Sequence, residues 1–191
     1  MNVEQIYTGC LSQGSYFVES NGEAAVIDPL RDISQYLKLA KSTKSKIKYI
    51  FETHFHADFV SGHLTLAKKT GATIVYGPCA DPKFEALICK DNQVFKIGNV
   101  TITAIHTPGH TLESTSFLLK DENEKEFAVF TGDTLFLGDV GIPDVAQRYK
   151  GTTKEELAGI IFDSVNNKIK PLPDHVLVYP GHGAGSASVS Y

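Results

Sequence analysis

Four short apolar runs in this 191-residue chain each lead directly into a residue able to bind a metal ion. Ile47–Thr53 runs into His54-Phe55-His56-Ala57-Asp58, and Val100–His106 is followed by Thr107-Pro108-Gly109-His110. Glu126–Phe130 leads to Thr131-Gly132-Asp133, and His175–Tyr179 to Pro180-Gly181-His182. Runs of this length bounded by Gly and Pro read as strands, and a strand end is where a rigid sheet aims a loop side chain. Imidazoles and carboxylates can gather around a cation because the ion supplies the charge that compensates their burial. Glycine beside His110, Asp133 and His182 lets the backbone turn sharply and approach such an ion closely.

The rest of the chain fills in around these ends. Ser15–Glu19 and Ala24–Asp28 flank Ser20-Asn21-Gly22-Glu23, and Asn-Gly is a strong signal for a two-residue hairpin turn. Ile33, Tyr36, Leu37, Leu39 and Ala40 have helical spacing, and a second helix containing Leu64, Leu66 and Ala67 closes at Gly71 before a strand at Thr73–Tyr76. Phe84–Cys89 reads as one or two helical turns. Strands at Val100–His106, Thr115–Leu119 and Glu126–Phe130 follow, the last two joined by the charged tip Asp121–Lys125, and a helix near Lys154–Val165 precedes the strand His175–Tyr179. Strands lead each half and helices follow them, which favours two packed sheets with helices outside over a singly alternating sheet.

Charge and composition exclude several classes of partner. With 18 Lys+Arg against 22 Asp+Glu the net charge is -4, and no basic block is present to neutralise a phosphate backbone, so nucleic acid is not expected as a partner. No apolar run approaches the roughly 20 residues that cross a bilayer, so no membrane partner is expected. The opening MNVEQIYTGC lacks a basic segment followed by an apolar core, which predicts a cytoplasmic protein. Cys10, Cys79 and Cys89 are scattered without CxxC spacing and read as reduced thiols. At this length one hydrophobic core suffices, and residues 1–191 are read as a single domain.

The HxHxD pattern of His54, His56 and Asp58, with His110, Asp133 and His182 in order behind it, resembles the metallo-β-lactamase superfamily along nearly the whole chain. The resemblance implies an α+β fold, an αββα sandwich of two mixed sheets with helices on the outer faces and the metal at one edge between the sheets. The longer stretches ETHFHADFVSGH, HTPGHTLES, FTGDTLFLGDVG and YPGHGAGS look most like the persulfide dioxygenase branch, whose members are often fused to rhodanese domains. That branch implies one Fe(II) per chain, with zinc the alternative, held by residues mapping to His54, His110 and Asp133. Three coordination positions stay open for a persulfide sulfur and O2. Glutathione persulfide or a related small persulfide would be oxidised to sulfite and thiol. His56, Asp58 and His182 would then orient the ligands and handle protons, with a structural polar network as the alternative and a third option in which His56 joins the iron in some states. A rhodanese partner and a homodimer are further implications of the resemblance.

Two other functions compete with this expectation. Glyoxalase II-like hydroxyacylglutathione hydrolases resemble the chain too, but use THxHxDH, whose last histidine helps hold a second metal; here that position is Phe59, which removes a donor and adds apolar bulk. The other alternative is a non-catalytic metal- or sulfur-binding remnant. It is suggested by Ile142, where the dioxygenases usually have the arginine of GRxD, retained here only as Gly141 and Asp144, and by the absence of a complete rhodanese domain. His63 is expected on a helix surface, with a hydrogen bond to the site as the alternative. Tyr7, Tyr16, Phe17, Phe136 and Tyr149 are expected mostly in the core and Arg148 in a solvated ion pair, with a thiol pocket and a substrate carboxylate as their respective alternative partners.

Overall fold

A computed structural model describes residues 1–143 and 151–183. It contains two sheets stacked face to face. The first has the spatial order β1 (Asn2–Thr8), β2 (Gln13–Ser20), β3 (Glu23–Ile27), β4 (Lys46–Phe51), β5 (Thr73–Tyr76) and β6 (Leu87–Ile88). The second runs β11 (Leu177–Pro180), β10 (Glu126–Gly132), β9 (Thr115–Lys120), β8 (Val100–His106) and β7 (Val94–Ile97). Each sheet mixes antiparallel hairpins with parallel pairs. Helices α1 (Ser34–Ser42), α2 (His63–Thr70) and α3 (Lys154–Ser164) supply the crossovers between β3 and β4, β4 and β5, and β10 and β11. The expected α+β sandwich of two mixed sheets is therefore present.

Local chemistry accounts for these elements. The β2–β3 hairpin turns on Asn21 and Gly22, both at positive φ, the conformation that lets a two-residue turn follow the strand twist. Strand β3 is buried on both faces, as parallel strands under helices are. Ala25 and Ile27 face the second sheet and share a core with Phe51, Phe95, Phe117 and Phe130, whereas Ala24 and Val26 pack beneath Tyr36 and Leu66 of the helices. A smaller cluster of Leu118, Val129 and Ile169 seals the outer face of the second sheet. Helix α3 opens on a capping box, in which Thr153 accepts from the Glu156 backbone and Glu156 accepts from the Thr153 N–H. It runs on into a π-helical turn at Val165–Ile169.

Three elements differ from the sequence reading. Strands β1 and β7 are additional; both are edge strands, β1 with no fully buried residue and β7 only four residues long, so neither forms a sustained apolar run. Phe84–Cys89 is not helical, because Leu87–Ile88 extends the first sheet beside Val75–Tyr76. Among the described residues, no helix is long and apolar enough to cross a membrane.

The topology gathers the functional ends. Parallel pairing of β3 with β4 puts Asp28 and Thr53–His54 at one sheet edge, and parallel pairing of β10 with β11 does the same for Asp133 and His182. Ligand sites in sheets of this kind lie beyond the carboxyl ends of parallel strands.

Candidate metal centre

His54, His110 and Asp133 each present a donor atom within 4.8 Å of the others. His54 Nε2 lies 3.9 Å and His110 Nε2 3.6 Å from Asp133 Oδ2, while His182 Nε2 lies 3.6 Å from the other oxygen, Oδ1. His182 Nε2 is also 3.2 Å from Asp58 Oδ2. His54, His182 and Asp133 are buried, and Asp58 lies closer to solvent. These five residues of the six expected at the site therefore sit together.

The hydrogen bonds on the far side of each ring fix what the near side offers. His110 Nδ1–H donates to the Ile142 carbonyl at 2.9 Å, and His182 Nδ1–H to the Leu11 carbonyl at 3.3 Å, since a carbonyl can only accept. Thr53 Oγ1 gives its single hydrogen to Asp28 Oδ2 at 2.8 Å and must therefore accept from His54 Nδ1–H at 3.0 Å. In the neutral tautomers the Nε2 atoms of all three rings face the Asp133 carboxylate. Electron pairs converging in a buried place repel one another unless a cation or added protons stand between them. Burial alone already raises the Asp133 pKa, and Asp133 Oδ1 has no hydrogen-bond donor. This donor set fits a divalent metal ion of the kind that takes nitrogen and oxygen ligands.

Close backbone approach is built in. A Cβ on Gly181 would stand 2.5 Å from Asp133 Oδ1, so only glycine leaves the carboxylate its place. Ile142 contributes its carbonyl, which any residue carries, so the missing arginine does not disturb the orientation of His110.

The sixth expected residue, His56, is only partly in this group. Its ring lies 4.3 Å from that of His54, yet Nε2 turns away, 3.0 Å from Asp28 Oδ1 and 3.5 Å from Glu52 Oε2. Burial works against a charged imidazole there, but the Asp28 and Glu52 carboxylates outweigh it and lift the His56 pKa to about 9. Glu52, wholly enclosed, is pushed up to about 8 by burial, with His56 opposing. Phe59 packs against His56 with ring centroids 4.3 Å apart and the planes tilted by 37°.

Some expectations need correction. His63 opens α2 but is mostly buried, lying against Glu52, Tyr76 and Phe84 instead of on the helix surface, because Glu52 and the β5 end close over it. Tyr16 and Phe17 are core residues, the former donating to the Pro180 carbonyl; Tyr7 is half exposed and Phe136 packs edge-on to His182. Asp144, Arg148 and Tyr149 lie outside the described residues. Asp28, Thr53 and Glu52 were not singled out as site residues by their sequence. Asp28 obeys the same rule as the others, a carboxylate at a strand end, and its positive φ of 49° marks a backbone held in a rare conformation by its surroundings.

Comparison with known proteins places this geometry. Residues 8–86 match the family model described as metallo-beta-lactamase superfamily. The mitochondrial hydroxyacylglutathione hydrolase of Saccharomyces cerevisiae is 30% identical, covering 100% of this chain and 69% of its own length. A Schizosaccharomyces pombe protein described as a "probable hydroxyacylglutathione hydrolase" is 34% identical over 91% of this chain and 64% of its own. Proteins of the same name from Dictyostelium discoideum, Arabidopsis thaliana and Pelagibacter ubique match at 34, 32 and 31%. Among solved structures, a Staphylococcus aureus metallo-beta-lactamase superposes with a TM-score of 0.89 at 38% identity, covering 99% of this chain and 58% of that one. ETHE1 from Myxococcus xanthus gives 0.82 at 26%. The chain spans 64, 61 and 58% of the length of three of its curated relatives.

These findings overturn the expected persulfide dioxygenase activity and the Fe(II)-dependent oxidoreductase class, since relatives at 30–34% identity are named as hydrolases. The physical reason is that two imidazoles and a carboxylate suit iron and zinc alike, so the donor set could not choose between oxygen chemistry and hydrolysis. With its fold, its converging donors and relatives that share most of their length with it, the chain belongs to the metallo-β-lactamase superfamily.

Proposed function

We propose that the chain carries a metal-dependent thioester hydrolase centre acting on hydroxyacyl thioesters of glutathione, with zinc as the metal. The observation that carries the reading is the convergence of three Nε2 atoms on one buried carboxylate, with the opposite nitrogens of those rings tied down. His54, His110 and Asp133 hold the ion. The names of the curated relatives support the substrate class, and a Bacillus subtilis relative described as a zinc-dependent hydrolase supports the metal.

When bound, such an ion supplies Lewis-acid polarisation of the thioester carbonyl and acidifies water. The remaining tasks fall to side chains. Water adds to the carbonyl carbon, the C–S bond breaks, and a carboxylic acid and a thiol result. Asp58 lies nearest solvent and, 3.2 Å from His182, is placed to take the proton of the attacking water. His182, fixed by Leu11, returns a proton to the departing sulfur. Phe136, buried edge-on to His182, keeps bulk water off that side. The Ile142 and Thr53 contacts hold His110 and His54 in their productive tautomers, the role that outer hydrogen bonds play around a metal.

The test is release of free thiol from S-lactoylglutathione by zinc-loaded protein. Asp133→Asn exchanges the charged ligand for a neutral amide and is expected to lower both zinc content and thiol release at least a hundredfold. Unchanged activity in that variant would remove Asp133 from the centre and with it the proposal.

A further inference from the structure

The connector that carries His110 out of β8 is held by side chains. Strand β7 pairs with β8 only as far as Thr103, and the preceding Gln93 and Asn92 still bond through their backbones to Ala104. At His106 side chains take over: its N–H donates to Asp91 Oδ1 at 2.8 Å, and its carbonyl accepts from Lys168 Nζ at 2.6 Å. The next two carbonyls are held in the same way, that of Thr107 by Thr134 Oγ1–H at 3.2 Å and that of Pro108 by Ser164 Oγ–H at 2.7 Å. We propose that Ser164 and Lys168 are positioning residues of the proposed metal centre, setting through the Pro108 and His106 carbonyls where His110 meets the ion. This rests on the reading of His110 as a ligand.

The chemistry of the two donors suits the task. A carbonyl withdrawn from water needs a donor, and a segment leaving its sheet has lost the ladder that would supply one. Pro108 brings no N–H with which the connector could brace itself. The Lys168 ammonium has three hydrogens, so it serves the His106 carbonyl and Asp91 Oδ2, at 3.2 Å, together. Its bonds are charge-assisted and therefore stronger than those between neutral groups. Ser164 is buried at the end of α3, where a serine hydroxyl commonly bonds back to a carbonyl of its own helix. Here its single hydrogen goes to Pro108 instead.

Both donors belong to one helical element that bears directly on the connector. A Cβ on Gly109 would stand 2.3 Å from Ile161 Cβ, so α3 touches the residue before His110 as closely as glycine allows. Lys168 lies in the π-helical turn closed by the Lys170 N–H on the Val165 carbonyl at 2.9 Å. Such widened turns recur at functional sites. From this element Lys168, Ser164 and Ile161 meet His106, Pro108 and Gly109 in turn.

The division of labour is then clear. Ile142 fixes the rotation of the His110 ring through Nδ1, whereas α3 and its π turn fix the backbone from which that ring projects. A ligand on a loop is placed less precisely than one on a strand, and a site tolerates misplacement of only about 0.5 Å. Removing either donor frees a carbonyl to turn, and His110 moves with it. The effect is felt at the metal as weaker binding and an altered ligand field.

The experiment is a Co(II) titration in competition with a chelator, read by visible absorption on the full chain, beside thermal melts of the same metal-free proteins. Ser164→Ala and Lys168→Met remove the donor and keep the stem. Each should lower Co(II) affinity about tenfold to a hundredfold and shift the absorption bands. Lys168→Arg keeps a charged donor and should restore affinity and bands. A lower melting temperature with wild-type affinity and bands in both donor-free variants would overturn the assignment, as would a loss in Lys168→Arg as large as in Lys168→Met. Thiol release from S-lactoylglutathione, followed on zinc-loaded samples, separates the two readings. Should wild type bind metal yet release no thiol, the hydrolytic reading falls, and lost Co(II) affinity in the two variants still supports the positioning role.

Discussion

Replacing Asp28 by asparagine should cost more stability than its size suggests. The Asp28 carboxylate is almost wholly buried and receives three donors: Thr53 N–H and Thr53 Oγ1–H, both at 2.8 Å, and His56 Nε2 at 3.0 Å. Hydrogen bonds to a charged group contribute about 1.5–3 kcal/mol each. An amide of the same shape can keep one oxygen as acceptor but must turn an NH2 group toward a donor, leaving a buried clash and an uncompensated His56. A loss of about 3–5 kcal/mol follows, the range for breaking a buried charge pair from one side. Thr53→Val removes the hydroxyl alone, at about 1–2 kcal/mol for one buried hydrogen bond. Because the two residues share that bond, the double variant should lose less than the sum, with a coupling of about 1–2 kcal/mol. Urea unfolding of all four proteins in chelator at pH 7 measures these quantities without any metal contribution. A loss under about 0.5 kcal/mol for Asp28→Asn, or a coupling near zero, would show that the Asp28–Thr53 brace does not hold this loop.

Four further outcomes follow from particular contacts. Gly181→Ala sets a Cβ 2.5 Å from Asp133 Oδ1, so metal affinity measured by competition with a chelator should fall at least tenfold. Phe117→Ala empties a site where the ring meets Phe51 at 4.7 Å in the inter-sheet core; about 3–5 kcal/mol should be lost in urea unfolding. Phe59→His restores an imidazole beside Asp58 and lifts the ring from His56, so metal analysis should find one more equivalent than in wild type. The Asp91 pKa is lowered: partial burial would raise it, but the His106 N–H and Lys168 outweigh that. A depressed carboxylate stabilises the fold above its unfolded pKa and loses that contribution as pH falls through the folded value. The stability gap between wild type and Asp91→Asn should therefore be full at pH 6 and close as the pH is lowered below about 4.

The strand-end residues were legible because two constraints coincide in them: an apolar run that must be buried, and a ligand residue placed just beyond it. That logic located His54, His110, Asp133 and His182 without reference to pairing order. It does not fix the direction of the His56 ring, whose spacing from His54 is the same whether it turns inward or toward Asp28; only the buried Asp28 and Glu52 decide, and both come from sequence positions that carry no motif. His63 was misplaced for a related reason, since helical periodicity does not reveal that Tyr76 and Phe84 cover the first turn of α2. Edge elements such as β1 and β6 escaped notice because they bury little and their pairing partners are supplied by the sheet. The reaction class was beyond reach of the ligand types alone, as hydrolysis and oxygenation can use the same three donors.

The central claim is that the buried donors at the sheet edges serve a hydrolysis. Its most direct test is to incubate zinc-loaded protein with S-lactoylglutathione in an anaerobic cell while following thiol release, then repeat the run in air with an oxygen electrode. The account predicts equal rates of thiol release in both, no oxygen uptake, and loss of activity on chelation that zinc restores. Thiol release no faster than in buffer, with metal content shown to be full, would contradict it.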